Sequence, residues 1–336
     1  MRRLASADRS SIAPLIPRRT LSVRTGDPAR PLIWLSVTSI PPPDYDAPAA
    51  ATPVPTDERR PGTATVPRPS GRVGWRPWTA WVAILTGFAL TVFGGAVVAI
   101  VTAAIGRSAS DPSPGVTIGL TVFQNLSLVA AALLFALLAG RPRGADFGLR
   151  RPPIGRSIGL ALSVAVAFAF FSLAWGFVLQ LHDKQTLPEE LGIDRSTLNL
   201  VLAVVMITVI APLGEELFFR GYFFGALRNW KGWLPAAIVT GLVFGAIHVG
   251  STPVGFTVPL AFFGFGLCVL YERTGSLYPG IALHALNNSI ALGLTQNWTW
   301  EILPTLVGAV IASLTIAALL GRTLDARASR TPAPAS

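Results

Sequence analysis

Residues 196–221 read STLNLVLAVVMITVIAPLGEELFFRG. The uncharged run 196–214 is long enough to cross a hydrocarbon core about 30 Å thick at about 1.5 Å per helical residue. It then meets Glu215, Glu216 and Arg220 within six positions, after which apolar residues resume. On insertion scales each charge at a helix centre costs roughly 2.5 to 3.5 kcal/mol, so this cluster needs partners or a task.

Outward from this stretch, uncharged segments of similar length recur at 80–105, 112–140, 157–181, 232–271, 274–300 and 302–321. The segment 232–271 is twice the length of one span. It divides at the turn-rich Val249-Gly250-Ser251-Thr252-Pro253, which predicts helices over 234–249 and 255–272. The fold class is therefore all-α, a polytopic membrane helix bundle of about eight transmembrane helices. Composition agrees: 51% of residues are hydrophobic and 13% charged, with mean hydropathy +0.55, whereas soluble domains carry about 25% charge. The single cysteine, Cys268, rules out a disulfide scaffold. The net charge of +10 is confined to loops and the N-terminal segment, so no nucleic-acid partner is expected.

Residues 1–78 hold 14 of the 28 prolines and 12 arginines against 6 acids, without helical or strand periodicity. They read as a disordered Arg/Pro-rich tail. The first 25 residues have the Arg/Ser bias of a transit peptide, but no amphipathic helix emerges, and no apolar run of the kind a signal peptide needs is present. Basic residues fall in alternate connections: Arg68, Arg72 and Arg76, the loop 141–156, Arg228 and Lys231, Arg273, and Arg322, Arg327 and Arg330. The intervening loop 182–195 is net acidic. By the positive-inside rule both termini are cytoplasmic. The ratio of 25 Arg to 2 Lys suggests a GC-rich genome, and with it a bacterial plasma membrane.

Inside the apolar segments, Glu216 and Arg220 are four apart, share a helix face and can pair. Glu215 is left over, because it projects about 100° away around the helix. The other intramembrane titratable groups are His248, in Phe244-Gly245-Ala246-Ile247-His248, and His284, in His284-Ala285-Leu286-Asn287-Asn288. Phe244 shares a face with His248, and Asn288 with His284. The third histidine, His182, reads as a solvated residue of the acidic loop. Counted from the basic ends of their helices, Glu215, His248 and His284 lie at depths of roughly 20, 26 and 17 Å. One slab can hold all three.

A carboxylate walled by apolar groups resists ionisation and becomes a competent base for water. Peptide hydrolysis also needs a carbonyl-polarising group and a proton donor for the leaving amine. Glu215, His248, His284 and Asn288 can supply these. Imidazole and carboxylate also suit Zn2+, for which Glu215, His248 and His284 are the candidate ligands; a metal-free glutamate route is equally compatible. No His-Glu-x-x-His helix occurs, no aspartate lies in any span, and no serine has the context of a rhomboid-type nucleophile. Pro212 removes a backbone donor and is expected to kink the helix beside Glu215. Gly264 and Gly266 read as close-packing positions.

The elements Glu215-Glu216-x-x-x-Arg220, Phe244-x-x-x-His248 and His284-x-x-x-Asn288 resemble, in order and spacing, the three motifs of the CPBP family (CAAX proteases and bacteriocin-processing enzymes, also called Abi). The resemblance covers residues 145–295. It implies an all-helical intramembrane endopeptidase related to type II CAAX prenyl endopeptidases. The uncharged runs add 79–140 as two N-terminal transmembrane helices outside the resemblance, 141–322 as the CPBP-type catalytic core and 323–336 as a short cytoplasmic tail. The resemblance further implies that Glu215 activates water, that His248, His284 and Asn288 line the site, and that Glu216, Arg220 and Phe244 support it. The expected substrate is a membrane-associated protein or peptide. Two other functions fit the same residues: a non-catalytic scaffold or bacteriocin-immunity protein of this fold, and a proton-coupled transporter. The two halves of the chain show no matching broken segments of the kind transporters carry.

Overall fold

The computed structural model describes residues 74–106, 108, 112–180 and 187–329. His182 and nearly all of the tail 1–78 lie outside the described residues. Eight long helices are present among those described: α1 Pro77–Ala104, α2 Pro114–Ala139, α3 Ile154–Leu179, α4 Thr197–Lys231, α5 Trp233–Ala246, α6 Thr257–Thr274, α7 Tyr278–Thr295 and α8 Ile302–Ser329. Six of these (α1, α2, α3, α4, α6 with its preceding turn, and α8) are long and apolar enough to cross a membrane, and α5 is a shorter apolar helix. Among the described residues there are no strands, so the chain is an all-α membrane bundle. The last helix continues to Ser329, seven residues into the segment read as a tail.

Helix starts follow local chemistry. Pro77 and Pro114 occupy the first turns of α1 and α2, where their missing N–H is not needed. Ser196 caps α4 by accepting from the Asn199 backbone N–H at 3.1 Å. Gly275, in the left-handed region at φ 66°, ends α6. At the turn between α7 and α8, the Glu301 carboxylate accepts from its own backbone and from that of Thr299, which holds its carboxyl below the usual range.

The basic residues gather at one end of the bundle. Arg228 of α4 pairs with Glu272 of α6 at 3.1 Å. Arg150 donates to the Gly275 carbonyl at 2.6 Å, and the Gly144 backbone donates to Asp325 of α8 at 2.9 Å. Asn229 donates to the Trp75 carbonyl, which brings the start of α1 to the same end. This end is the basic rim. The main core lies between it and the middle of the bundle, built from Phe147, Phe218, Phe219, Phe223, Phe224, Phe244, Phe263, Leu267, Leu270 and Leu277 among others. A smaller cluster, with Ile118, Leu191, Ile193, Met206 and Leu292, sits toward the opposite end. Both α1 and α2 contribute to the main core through Ala80, Ala83, Leu128 and Ala132, so they are integral to the packing around α4.

Glycines set the tightest approaches. A Cβ on Gly245 would lie 2.5 Å from the Thr257 carbonyl oxygen, and one on Gly264 would lie 2.9 Å from Phe244 Cβ. Gly266 stands likewise against Val164 of α3. The close-packing expectation for Gly264 and Gly266 thus matches the structure.

Candidate active site

Helix α4 is not uniform. It widens into π-helical turns at Met206–Ile210 and Leu217–Phe224, which flank an α-helical Ala211–Glu216. The first widening is the form taken by the disturbance expected at Pro212. The Ala211 N–H reaches back five residues to the Met206 carbonyl. In that register the carbonyl opposite Pro212 is that of Ile207, and proline has no N–H to give it. The Asn288 side-chain amide of α7 supplies the missing donor, at 2.9 Å. Replacing Asn288 with Leu should therefore leave the half-buried Ile207 carbonyl unpaired and cost about 1 to 3 kcal/mol. Adding Pro212→Ala, which restores a backbone donor, should recover part of that loss when thermal unfolding of both variants is compared in detergent.

Glu216 and Arg220 are fully buried and pair at 2.7 Å, in agreement with their i, i+4 spacing. Arg220 also donates through Nη2 to the Gly264 carbonyl at 2.9 Å, and its guanidinium lies 4.5 Å from the Phe244 ring centre. The same Glu216 oxygen that meets Arg220 is 3.0 Å from Nδ1 of His284. This second contact, across 68 residues of chain, was not visible in the sequence. It fixes the imidazole with its proton on Nδ1 and leaves Nε2 as the free nitrogen. That Nε2 faces Glu215 Oε2 at 3.8 Å, too long for a direct hydrogen bond. Glu215 Oε2 is buried without a partner, while the side chain as a whole keeps 13% exposure.

Close approach of α7 to α4 requires Gly280, where a Cβ would stand 3.0 Å from Glu216 Oε2. Gly280→Ala is expected to push the Glu216 carboxylate off both partners and destabilise by about 1 to 3 kcal/mol, readable as a lowered unfolding temperature.

His248 differs from expectation in its backbone. Helix α5 ends at Ala246 rather than 249, and the chain turns through Gly250 at φ 98°. The His248 N–H goes to Gly245, which leaves the Phe244 carbonyl without its usual helical donor. The imidazole takes that place, with Nδ1 2.7 Å from the Phe244 oxygen. His248 Nε2 is therefore also the free nitrogen. The Phe244 ring stands between the imidazoles, with centres 4.9 Å from His248 and 5.8 Å from His284, and Phe263 closes on His284 at 5.6 Å.

The structure thus joins Glu215, Glu216, Arg220, Phe244 and His284 by direct contacts, with His248 attached through Phe244. Asn288, one turn beyond His284, is committed by one amide hydrogen to Ile207. Sequence reading passed over Gly280, Phe263 and Asn125; the last, on α2, has its side-chain oxygen 3.2 Å from where a Gly214 Cβ would be. For a zinc ion the free Nε2 atoms and the Glu215 carboxylate have suitable donor chemistry. Among the described residues, however, no three His, Cys, Asp or Glu side chains converge closely enough to hold a metal.

The chain has sequence relatives. A protein of Escherichia coli described as "Uncharacterized 24.3 kDa protein" is 30% identical over 102 residues, 30% of this chain and 46% of that protein. The Bacillus subtilis (strain 168) protein named "Putative membrane peptidase YdiL" is 25% identical over 91 residues, 27% of this chain and 36% of its own length. "UPF0177 protein YxdF" of Lactococcus lactis is 23% identical over 130 residues, 37% of this chain and 71% of its own length. The chain therefore spans less than half of the first two relatives. No solved structure gives a significant match. The family model for type II CAAX prenyl endopeptidase Rce1-like proteins matches residues 197–290, a narrower segment than the 145–295 covered by the motif resemblance. That matched segment carries both glutamates, both histidines and Asn288, so the family model and the motif resemblance meet on the same side chains.

Proposed function

We propose that this protein is an intramembrane endopeptidase of CPBP (Abi) type that hydrolyses a peptide bond of a membrane-associated protein or peptide. The carrying observation is one buried, unpartnered carboxylate oxygen of Glu215 facing the free nitrogen of an imidazole whose other nitrogen is fixed by Glu216. At 3.8 Å the two atoms are too far apart to bond each other, but a water seated to one side could hydrogen-bond to both.

In this reading Glu215 takes a proton from water as the water oxygen attacks the carbonyl carbon. The tetrahedral oxyanion is met by an N–H donor, for which the second amide hydrogen of Asn288 and a protonated His248 or His284 are the available groups. Glu215 then returns the proton to the leaving amine as the C–N bond breaks. Glu216 acts one step removed, by holding the His284 tautomer and stabilising the imidazolium. Glu215, His248 and His284 do not converge as a metal site among the described residues, and elemental analysis of the purified protein measures whether it carries Zn2+.

The test is cleavage of membrane-anchored reporter peptides by the full-length protein in proteoliposomes. His284→Ala and His248→Ala should each lower kcat/KM by at least about 100-fold, the lower range for loss of acid–base catalysis, with folding retained. Wild-type rates in both variants would sink the assignment. A scaffold predicts no cleavage by any form, and a proton-coupled transporter predicts flux driven by a pH gradient.

The bundle is also proposed to sit in a bacterial plasma membrane with its basic rim cytoplasmic, which places both termini there.

A further inference from the structure

Helices α2, α4 and α7 meet where Ile118 of α2, Met206 of α4 and Leu292 of α7 pack in one cluster. From that cluster each helix runs toward the basic rim, α2 and α4 forward along the chain and α7 backward. Asn125 lies seven residues from Ile118, Glu215 nine from Met206 and His284 eight from Leu292. At the helical rise these separations are about 10, 14 and 12 Å, so the three side chains stand at one level of the bundle. Glu215 and His284 already face each other there. Asn125 brings a third polar side chain to that level, from a helix with no part in the motifs.

The Asn125 side chain is 5% exposed. Its Nδ2 donates to the Thr121 carbonyl, one turn back, at 3.0 Å. That bond distinguishes the two ends of the amide, because the reverse setting would put its oxygen against the carbonyl. Oδ1 is thereby held against α4, 3.2 Å from where a Gly214 Cβ would be, and glycine keeps the space beside it free of a methyl group. Chain geometry then places Oδ1 less than about 9 Å from the Glu215 Cα, a span that the glutamate side chain and one water can bridge. Among the described residues Oδ1 has no hydrogen-bond partner. A polar atom stranded in this way costs about 1 to 3 kcal/mol, and asparagine forms helix less readily than leucine. Packing alone favours leucine at 125, so the orphaned oxygen calls for a task.

Glu215 Oε2 is likewise buried without a partner. Two acceptors therefore stand unpaired on neighbouring faces of α4, and as acceptors they cannot satisfy each other. A water carries two O–H donors, of which a general base takes one. We infer that Asn125 Oδ1 is the second acceptor for the water that Glu215 deprotonates, an inference that rests on the peptidase reading. As Glu215 takes one proton, the water oxygen bonds to the carbonyl carbon and keeps its other hydrogen, which points at Asn125. That hydrogen stays on the hydroxyl of the tetrahedral intermediate. It leaves with the new carboxyl group once the C–N bond has broken and Glu215 has given its proton to the amine. Holding both hydrogens aims the oxygen lone pair at the carbonyl carbon, which is a gain in orientation. Helix α2 lies outside residues 197–290, so the reaction centre extends beyond the segment that the family model matches.

The test is steady-state cleavage of membrane-anchored reporter peptides by the full-length protein in proteoliposomes, with thermal unfolding of each variant measured alongside. Asn125→Leu should lower kcat about 10-fold, the worth of one neutral hydrogen bond, with KM unchanged and an unfolding midpoint equal to or above that of wild type. Thr121→Val, one turn away on α2, should match wild type in kcat and KM. Added to Glu215→Gln, Asn125→Leu should cause no further loss, because the water it orients is no longer deprotonated. A wild-type kcat in Asn125→Leu overturns the inference. So does a lowered midpoint, which would make Asn125 a packing residue, and so do losses that multiply in the double variant. If Asn125→Leu is unaffected while Glu215→Gln is inactive, the inference fails and the peptidase reading stands. If Glu215→Gln cleaves at the wild-type rate, the peptidase reading fails and the inference falls with it.

Discussion

Glu215→Gln should abolish peptide cleavage while leaving the fold intact. Gln keeps the size and shape of the side chain, and Glu215 Oε2 has no hydrogen-bond partner that the amide could lose. What disappears is the ability to accept a proton from water. Removing a positioned general base typically costs 100- to 10,000-fold, so kcat should fall by at least about 100-fold with an unchanged unfolding temperature. Single-turnover cleavage of a reporter peptide, alongside thermal unfolding in the same detergent, reads both quantities. A variant that cleaves at the wild-type rate would remove Glu215 from the mechanism, and one that fails to fold would mean that this carboxylate is structural.

Glu216→Ala should behave in the opposite manner and unfold the protein before its activity can be measured. Arg220 is fully buried, and Glu216 is its counter-ion. Truncating one partner of such a pair strands the other charge in an apolar core, at a cost of about 3 to 5 kcal/mol. The same change frees His284 Nδ1. Glu216→Gln separates the effects: it keeps a hydrogen-bond acceptor for both partners but not the charge, so it should be destabilised less than Ala. Arg220→Lys should not restore stability, because an ammonium cannot match the planar fork that reaches Glu216 and Gly264 together. The measurement is the unfolding midpoint of each variant; equal midpoints for wild type and Glu216→Ala would refute the buried pair.

The contrast between adjacent glutamates was partly legible from spacing alone. Position 216 lies one helical turn before Arg220, and position 215 does not, so the pair and the leftover carboxylate follow from 3.6 residues per turn. The eight helices were legible for a related reason: charges are so costly in hydrocarbon that the uncharged runs mark the spans. What the linear text could not carry is contact between helices. The bond from Glu216 to His284 joins residues 68 apart, and no local pattern encodes it. The link between Pro212 and Asn288 is similar. A proline predicts a lost donor, but the widened turn and the amide that repairs it emerge only when α7 packs against α4. The early end of α5 had a local signal in Gly250, yet apolar content through Val249 masked it. The role of α2 was hidden because Asn125 is an uncharged residue in an otherwise ordinary span.

The claim at the centre is that Glu215 and His284, brought from two helices, work as one unit. A double-mutant cycle on kcat/KM measures this directly, using Glu215→Gln, His284→Ala and the combination in the same proteoliposomes. Groups that act together are strongly non-additive, so the double variant should be no slower than the slower single variant. If the two losses instead multiply, the side chains contribute independently and the proposed centre is wrong.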